Sequence, residues 1–227
     1  LCREKYDFKY VFFYDDVFCL KLDWLVKFKA LYKKHFPNTP YICLLRPEMA
    51  KDERRMKLLS ESGCMEVHMG VESGSYKYRT TMLGRHMSNE VILRACDNLK
   101  KYNMRITTFL MVGMPDESCL DMLKSLVFIW KIRPTGMQTG IFYPLKGTPS
   151  YDYCAKNNLI NWKKRKELVV YTYDTSLNVG FLKRYFIILC KWLLSGIPIL
   201  AHFNFQLIPQ FFKIQYRLWF QRRIDYT

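Results

Sequence analysis

No two cysteines in this sequence lie closer than Cys2 and Cys19, which are 17 positions apart; Cys43, Cys64, Cys96, Cys119, Cys154 and Cys190 are spaced more widely still. There is accordingly no CxxC or CxxxCxxC cluster, and nothing in the chain spells a metal site. Single scattered thiols without a secretory leader fit buried structural cysteines in a reducing cytoplasm. No GxGxxG follows a strand candidate and no GxxxxGK[ST] occurs, so both common phosphate cradles lack their sign. Acidic residues are scarce, 20 Asp and Glu against 36 Lys and Arg, for a net charge of +16. The imbalance is steepest from Asn161 onward. There Lys163, Lys164, Arg165, Lys166, Lys183, Arg184, Lys191, Lys213, Arg217, Arg222 and Arg223 face only Glu167, Asp174 and Asp225. Such a surface meets solvent, an acidic partner, anionic lipid or nucleic acid.

Half of the 227 residues are hydrophobic, enough for one sizeable core with an appendage. The chain opens at Leu1 and runs almost at once into strand-like sequence, so an upstream segment is expected. Short apolar runs at Phe8 to Tyr14, Tyr41 to Leu45, Met65 to Val71, Arg105 to Val112 and Met137 to Tyr143 read as strands. Helical spacing lies between them. Val91, Ala95, Leu99 and Tyr102 follow a capping Ser88; Leu123, Leu126, Val127 and Trp130 follow Ser118, with Asp121 at the third helical position. Repeated βα units give parallel strands with right-handed crossovers, hence a doubly wound sheet or a barrel. Polar or permissive residues gather after each strand: Tyr14-Asp15-Asp16, Arg46-Pro47-Glu48, Glu72-Ser73-Gly74-Ser75, Gly113-Met114-Pro115 and Tyr143-Pro144. In parallel α/β architectures that rim binds ligands. Along MEVHMGVE, alternation puts Met65, Val67, Met69 and Val71 on the helix side and Glu66, His68, Gly70 and Glu72 opposite. A carboxylate at a lumen edge requires a partner, which Arg46, Arg85 or a ligand would supply.

In order, Phe13 to Phe18 (FYDDVF), Arg46-Pro47, Gly63-Cys64 leading to Gly70 to Ser75 (GVESGS), Leu83 to Ser88 (LGRHMS), Gly113 to Glu117 (GMPDE) and Phe142 to Thr148 (FYPLKGT) resemble the radical S-adenosylmethionine (SAM) superfamily. The likeness is nearest to its branch with an N-terminal cobalamin-binding domain and covers Lys9 to about Cys154. It implies an α/β fold, a partial (β/α)6 TIM-like barrel. This chain would supply strands two to six as residues 1–157, followed by a basic, aromatic-rich helical extension, 158–227. The family's first strand and its CxxxCxxC loop, whose thiolates hold a 4Fe-4S cluster, are expected upstream. No metal ligand is assigned within the chain.

The resemblance assigns Tyr14, Asp15 and Asp16 to the methionine amino group of SAM, Glu72 and Ser73 to its ribose or amino-acid part, and Arg85 to its carboxylate. It further places Gly113 and Pro115 at a turn approached by adenine, and Phe142 and Tyr143, with Pro144, beside the adenine ring. Arg46 and His68 share the lumen and are candidates for substrate contact; for His68 a satisfied core histidine is the other role. The parent protein is expected to be an enzyme that generates a 5′-deoxyadenosyl radical, with cobalamin-associated methyl transfer or related chemistry on a small-molecule or lipid-like substrate. The fragment alone is expected to be inactive. An RNA-modifying methylthiotransferase-like enzyme and a non-catalytic SAM- or partner-binding remnant are the alternatives.

Phe186 to Phe205 is apolar and about as long as a membrane span, but Pro198 is expected to break it into two helices packed on the barrel. A peripheral contact with the inner face of a membrane, through Arg217, Arg222 and Arg223 among Phe211, Phe212, Tyr216, Trp219 and Phe220, is a second reading. No nucleic-acid recognition module is present.

Overall fold

A computed structural model describes residues 8–167 and 173–201. In chain order these form β1 (Val11–Phe13), α1 (Leu22–His35), β2 (Tyr41–Leu44), α2 (Pro47–Ala50), α3 (Glu53–Ser62), β3 (Cys64–Glu72), α4 (Tyr76–Thr81) and α5 (Asn89–Lys101). Next come β4 (Arg105–Val112), α6 (Cys119–Ile132), β5 (Gly136–Ile141), α7 (Pro149–Lys156), α8 (Trp162–Glu167) and α9 (Phe181–Ala201). The strands form one sheet in the order β1-β2-β3-β4-β5, and β1 with β2, like β2 with β3, runs parallel. A doubly wound sheet reverses its strand order part-way. Here spatial order equals chain order, so the topology is that of a barrel segment.

The described residues fall into two compact units, one of residues 8–72, 85–109 and 134–136, the other of 73–84, 110–133 and 137–201. In the first, α1 packs on α3 and α2 on α5. An aromatic cluster fills the space around β1, with Phe13 and Phe18 stacked at 5.0 Å and Phe28 edge-on to Tyr41 at 5.5 Å. Tyr41 is fully buried, and its hydroxyl finds Ser62 Oγ at 2.6 Å. Local signals set the helix ends: the Asp52 side chain accepts from the amides of Arg54 and Arg55 to open α3, and Gly63 closes it at φ 102°. Ser88 caps α5 as its position predicts, its Oγ accepting from the Val91 amide.

The second unit bears out one helix and corrects one expectation. Ser118 does cap α6, but the stripe of Leu123, Val127 and Trp130 is exposed, while Met122, Ser125, Phe128, Ile129 and Ile132 face inward. The helix is apolar on both sides, so spacing alone could not choose its core face. Nor does Pro198 end a helix: α9 is one element from Phe181 to Ala201, with Pro198 in its last described turn. There proline removes one backbone hydrogen bond, to the Leu194 carbonyl, and the helix continues through it. His202 to Phe205 and the aromatic and arginine residues from 211 to 223 lie outside the described residues. Cys19, Cys43, Cys64, Cys96, Cys154 and Cys190 are buried free thiols, and Cys119 is exposed. Burial pushes the Cys19 and Cys96 thiols up to about 12, which keeps both protonated.

Candidate functional site

In the first unit the site is one face of β3. Val67, Met69 and Val71 are fully buried, while Glu66, His68, Gly70 and Glu72 lie half-buried on the other face, as alternation requires. Met65 departs from the pattern and is only half-buried. The β2–β3 register skips it, pairing Tyr41 with Cys64 and Ile42 with Glu66, so the alternation changes phase at that irregularity.

Glu72 ends the strand with φ 64°, a left-handed conformation that a side chain adopts at a cost. Its Oε1 lies 3.2 Å from Arg85 Nη1, and the carboxylate is the more buried partner, 16 % exposed against 43 %. Burial pushes the Glu72 carboxyl above the usual carboxylate range, and the Arg85 guanidinium opposes it. Gly70 makes room for this pair, because a Cβ there would sit 2.5 Å from Glu72 Oε1 and 2.8 Å from Arg85 Nη1. Arg85 is thus the partner that Glu72 takes. Arg46 is exposed before α2, and Tyr14, Asp15 and Asp16 are exposed after β1.

Six residues earlier on the same strand, Glu66 gathers three donors. His68 Nε2 lies 3.0 Å from Oε1, Thr107 Oγ1 donates to the same oxygen at 2.7 Å, and Arg105 Nη2 reaches Oε2 at 2.9 Å. These hydrogen bonds, that of His68 foremost, hold the Glu66 carboxyl below its ordinary value against the pull of burial. His68 sits edge-on to Phe12 and Phe109, at 4.9 and 5.6 Å. It is therefore a partnered histidine in an aromatic slot. Alternation put Glu66 on this face, but its partners on β4 are distant in sequence and left no sign.

In the second unit, the turn after β3 is built for packing. Ser73 is fully buried and its carbonyl accepts from the guanidinium of Arg79, itself fully buried. The Gly74 amide donates to Ser125 Oγ at 2.9 Å, and a Cβ on Gly74 would come 2.5 Å from Ser125 Cα, so only glycine admits α6 this close. Gly113, at φ 74°, plays the same part for α9, whose Ile187 Cγ2 would be 2.9 Å from an added Cβ. The amides of Gly113 and Met114 both donate to Glu117 Oε2, at 2.7 and 3.1 Å. Glu117 is fully buried and its Oε1 has no hydrogen-bond partner. Burial lifts its carboxyl to about 7, although the two amides pull the other way.

Pro115 is buried, and the Asp116 carbonyl and carboxylate accept from the hydroxyls of Tyr78 and Tyr153 respectively. Phe142 packs with Tyr78, Met114, Cys154, Ile160 and Leu177, and the Tyr143 ring faces the Arg165 guanidinium at 5.4 Å. Arg79 and Glu117 are the residues that sequence reading missed here. Nothing marks a single Arg or Glu beside a turn as buried.

A model of the radical SAM superfamily matches residues 2–129. The chain belongs to the radical SAM superfamily. It is 25% identical over 167 residues to an uncharacterised methyltransferase of Pyrococcus horikoshii, a match covering 72% of this chain and 36% of that protein. It is 31% identical over 91 residues to the tRNA-2-methylthio-N(6)-dimethylallyladenosine synthase of Clostridium tetani, covering 39% of this chain and 20% of that protein. Among solved structures, the cobalamin- and [4Fe-4S]-bound radical SAM methyltransferase TsrM of Kitasatospora setae superposes with a TM-score of 0.56 at 16% identity. It covers 64% of this chain and 30% of that one. The radical SAM coproporphyrinogen III oxidase of Escherichia coli gives 0.51 at 13%, covering 73% and 35%. These likenesses establish the radical SAM type of partial barrel. The chain spans about a third or less of the length of these relatives.

The family's cofactors are SAM and a 4Fe-4S cluster. Among the described residues no three His, Cys, Asp or Glu side chains are placed to hold a metal, so these residues do not fit the cluster. The Glu72–Arg85 pair in the space left by Gly70 does fit a ligand that carries both an ammonium and a carboxylate.

Proposed function

We propose that this chain is part of a radical SAM enzyme and that the end of β3 grips the amino-acid part of SAM. The observation that carries this reading is the Glu72–Arg85 pair, its carboxylate half-buried at a left-handed backbone position and its guanidinium open to solvent, with Gly70 keeping its space clear. A zwitterion offers each partner its complement: an ammonium or ribose hydroxyls to Glu72, a carboxylate to the guanidinium fork of Arg85. Tyr14, Asp15 and Asp16, exposed after β1 of the same unit, add acceptors for the ammonium. When bound with its cluster, SAM supplies a 5′-deoxyadenosyl radical, and in the cobalamin-associated branch the outcome is methyl transfer or related C–C and C–H chemistry on a small-molecule or lipid-like substrate. The residues of this chain bind, orient and exclude water.

In the full-length protein, Glu72→Ala weakens SAM binding in calorimetry by about tenfold, the cost of one lost charge-assisted contact, while the cluster absorbance stays intact. An unchanged affinity overturns the assignment. The identity to the Clostridium tetani relative, with the +16 charge, supports a second reading as an RNA-modifying, methylthiotransferase-like enzyme. Retardation of tRNA by the full-length protein at physiological salt distinguishes it from the first.

A further inference from the structure

Two neighbouring helices of the second unit expose apolar stripes that the barrel chemistry does not use. On α9 the stripe is Leu182, Tyr185, Leu189, Leu193 and Leu200, with Leu182 at 83 % exposure and the others near half. On α6, which packs against α9, it is Leu120, Leu123, Val127 and Trp130, between 44 % and 63 % exposed. A helix this apolar all round is expected inside a core or against lipid, yet only 22% of the most apolar stretch of α9 is buried. Charge narrows the choice of occupant. The two helices carry Lys124, Lys131, Lys183, Arg184 and Lys191 against the single acid Asp121, whose carboxylate is taken by Ser118 and Lys124; Arg184 is held by the Asp174 carboxylate, so the basic excess rests on the lysines.

We propose that the α6–α9 face is a docking surface for an anionic phospholipid bilayer, with α9 lying in the plane of the interface. A surface of Leu, Val, Trp and Tyr bordered by basic residues is what such interfaces select. Spanning is disfavoured because the inner stripe of α9, Ile187, Cys190, Leu194 and Ile197, is already buried, with Ile187 filling the space over Gly113. A second copy is disfavoured because it would set one basic rim against another. This surface is independent of whether the β3 end binds SAM.

The test is co-sedimentation of the chain with phosphatidylcholine vesicles, with and without about 30 mol % phosphatidylglycerol. Binding is expected to the anionic vesicles, to weaken with salt, and to drop about tenfold or more when Leu189→Glu and Leu193→Glu are combined. Lys131→Glu, at an exposed position, is expected to lower the salt-sensitive part alone. An unchanged thermal melt by circular dichroism shows that the variants fold. Four results overturn the proposal: no binding to anionic vesicles, binding unmoved by the leucine variants, resistance to alkaline extraction, and a lipid-free dimer that those variants dissolve.

Discussion

Glu66 in the first unit and Glu117 in the second are both withdrawn from water, yet their carboxyls move in opposite directions. Glu66 keeps three side-chain donors, two of them able to carry positive charge, and is held below its ordinary value. Glu117 is buried completely, receives only two backbone amides on one oxygen, and is lifted to about 7. The difference teaches that burial is outweighed only where several donors converge on one carboxylate, since the single guanidinium of Arg85 does not keep Glu72 from being raised. The three donors around Glu66 stabilise an anion. A turn sealed by two helices stabilises the acid.

The largest expected break in this comparison is Glu117→Leu. It leaves the buried Gly113 and Met114 amides without an acceptor, at a cost of about 3 kcal/mol in denaturant unfolding. Glu66→Leu, at a half-buried position whose donors can turn to water, costs about 1 kcal/mol by the same measurement.

The pH response sharpens the contrast. The folded value of Glu117 is raised to about 7 from an ordinary 4.5, so its stabilising contribution is full below the ordinary value and is lost as pH rises toward and through 7. Glu66 is lowered, so its contribution is present above the ordinary value and is lost as pH falls. Melts at pH 5 and pH 8 are therefore expected to show Glu117→Gln removing a loss of stability at the higher pH. A further melt at about pH 3, below the ordinary carboxylate value, is expected to show Glu66→Gln removing a loss on acidification. Equal pH profiles for the two variants break the comparison. The smallest effect belongs to Arg105→Lys. Its 2.9 Å bond to Glu66 joins a side chain more than half exposed, so the change in stability is about 0.5 kcal/mol or less.

The alternation in MEVHMGVE and the spacing of the βα units made the strands legible, because period two and short apolar runs are local properties. Whether those units wind into a barrel or a doubly wound sheet is set by strand order, which no single segment encodes. The same limit hid the inward face of α6: Leu123 and Trp130 are as apolar as Met122 and Phe128, and only α9 and the Gly74 turn decide which side is covered. That Glu72 needs a partner within a lumen was legible, with Arg46, Arg85 or a ligand as candidates; the choice of Arg85 was not. Gly70 was not, because a glycine in a strand gives no hint of what stands over it. Glu66, Arg79 and Glu117 draw their meaning from residues tens of positions away or from backbone groups, and composition carries no trace of either.

The clasp of Glu117 on the two amides after β4 has a dynamic consequence. Loop amides usually exchange their hydrogens with solvent quickly, since nothing holds them closed. Those of Gly113 and Met114 are tied to the buried Glu117 side chain, and Tyr78 and Tyr153 lash Asp116 in the same loop from two separate helices. In deuterated buffer these loop protons should persist as long as those of the strand that leads into them, and disappear only when the second unit opens as a whole.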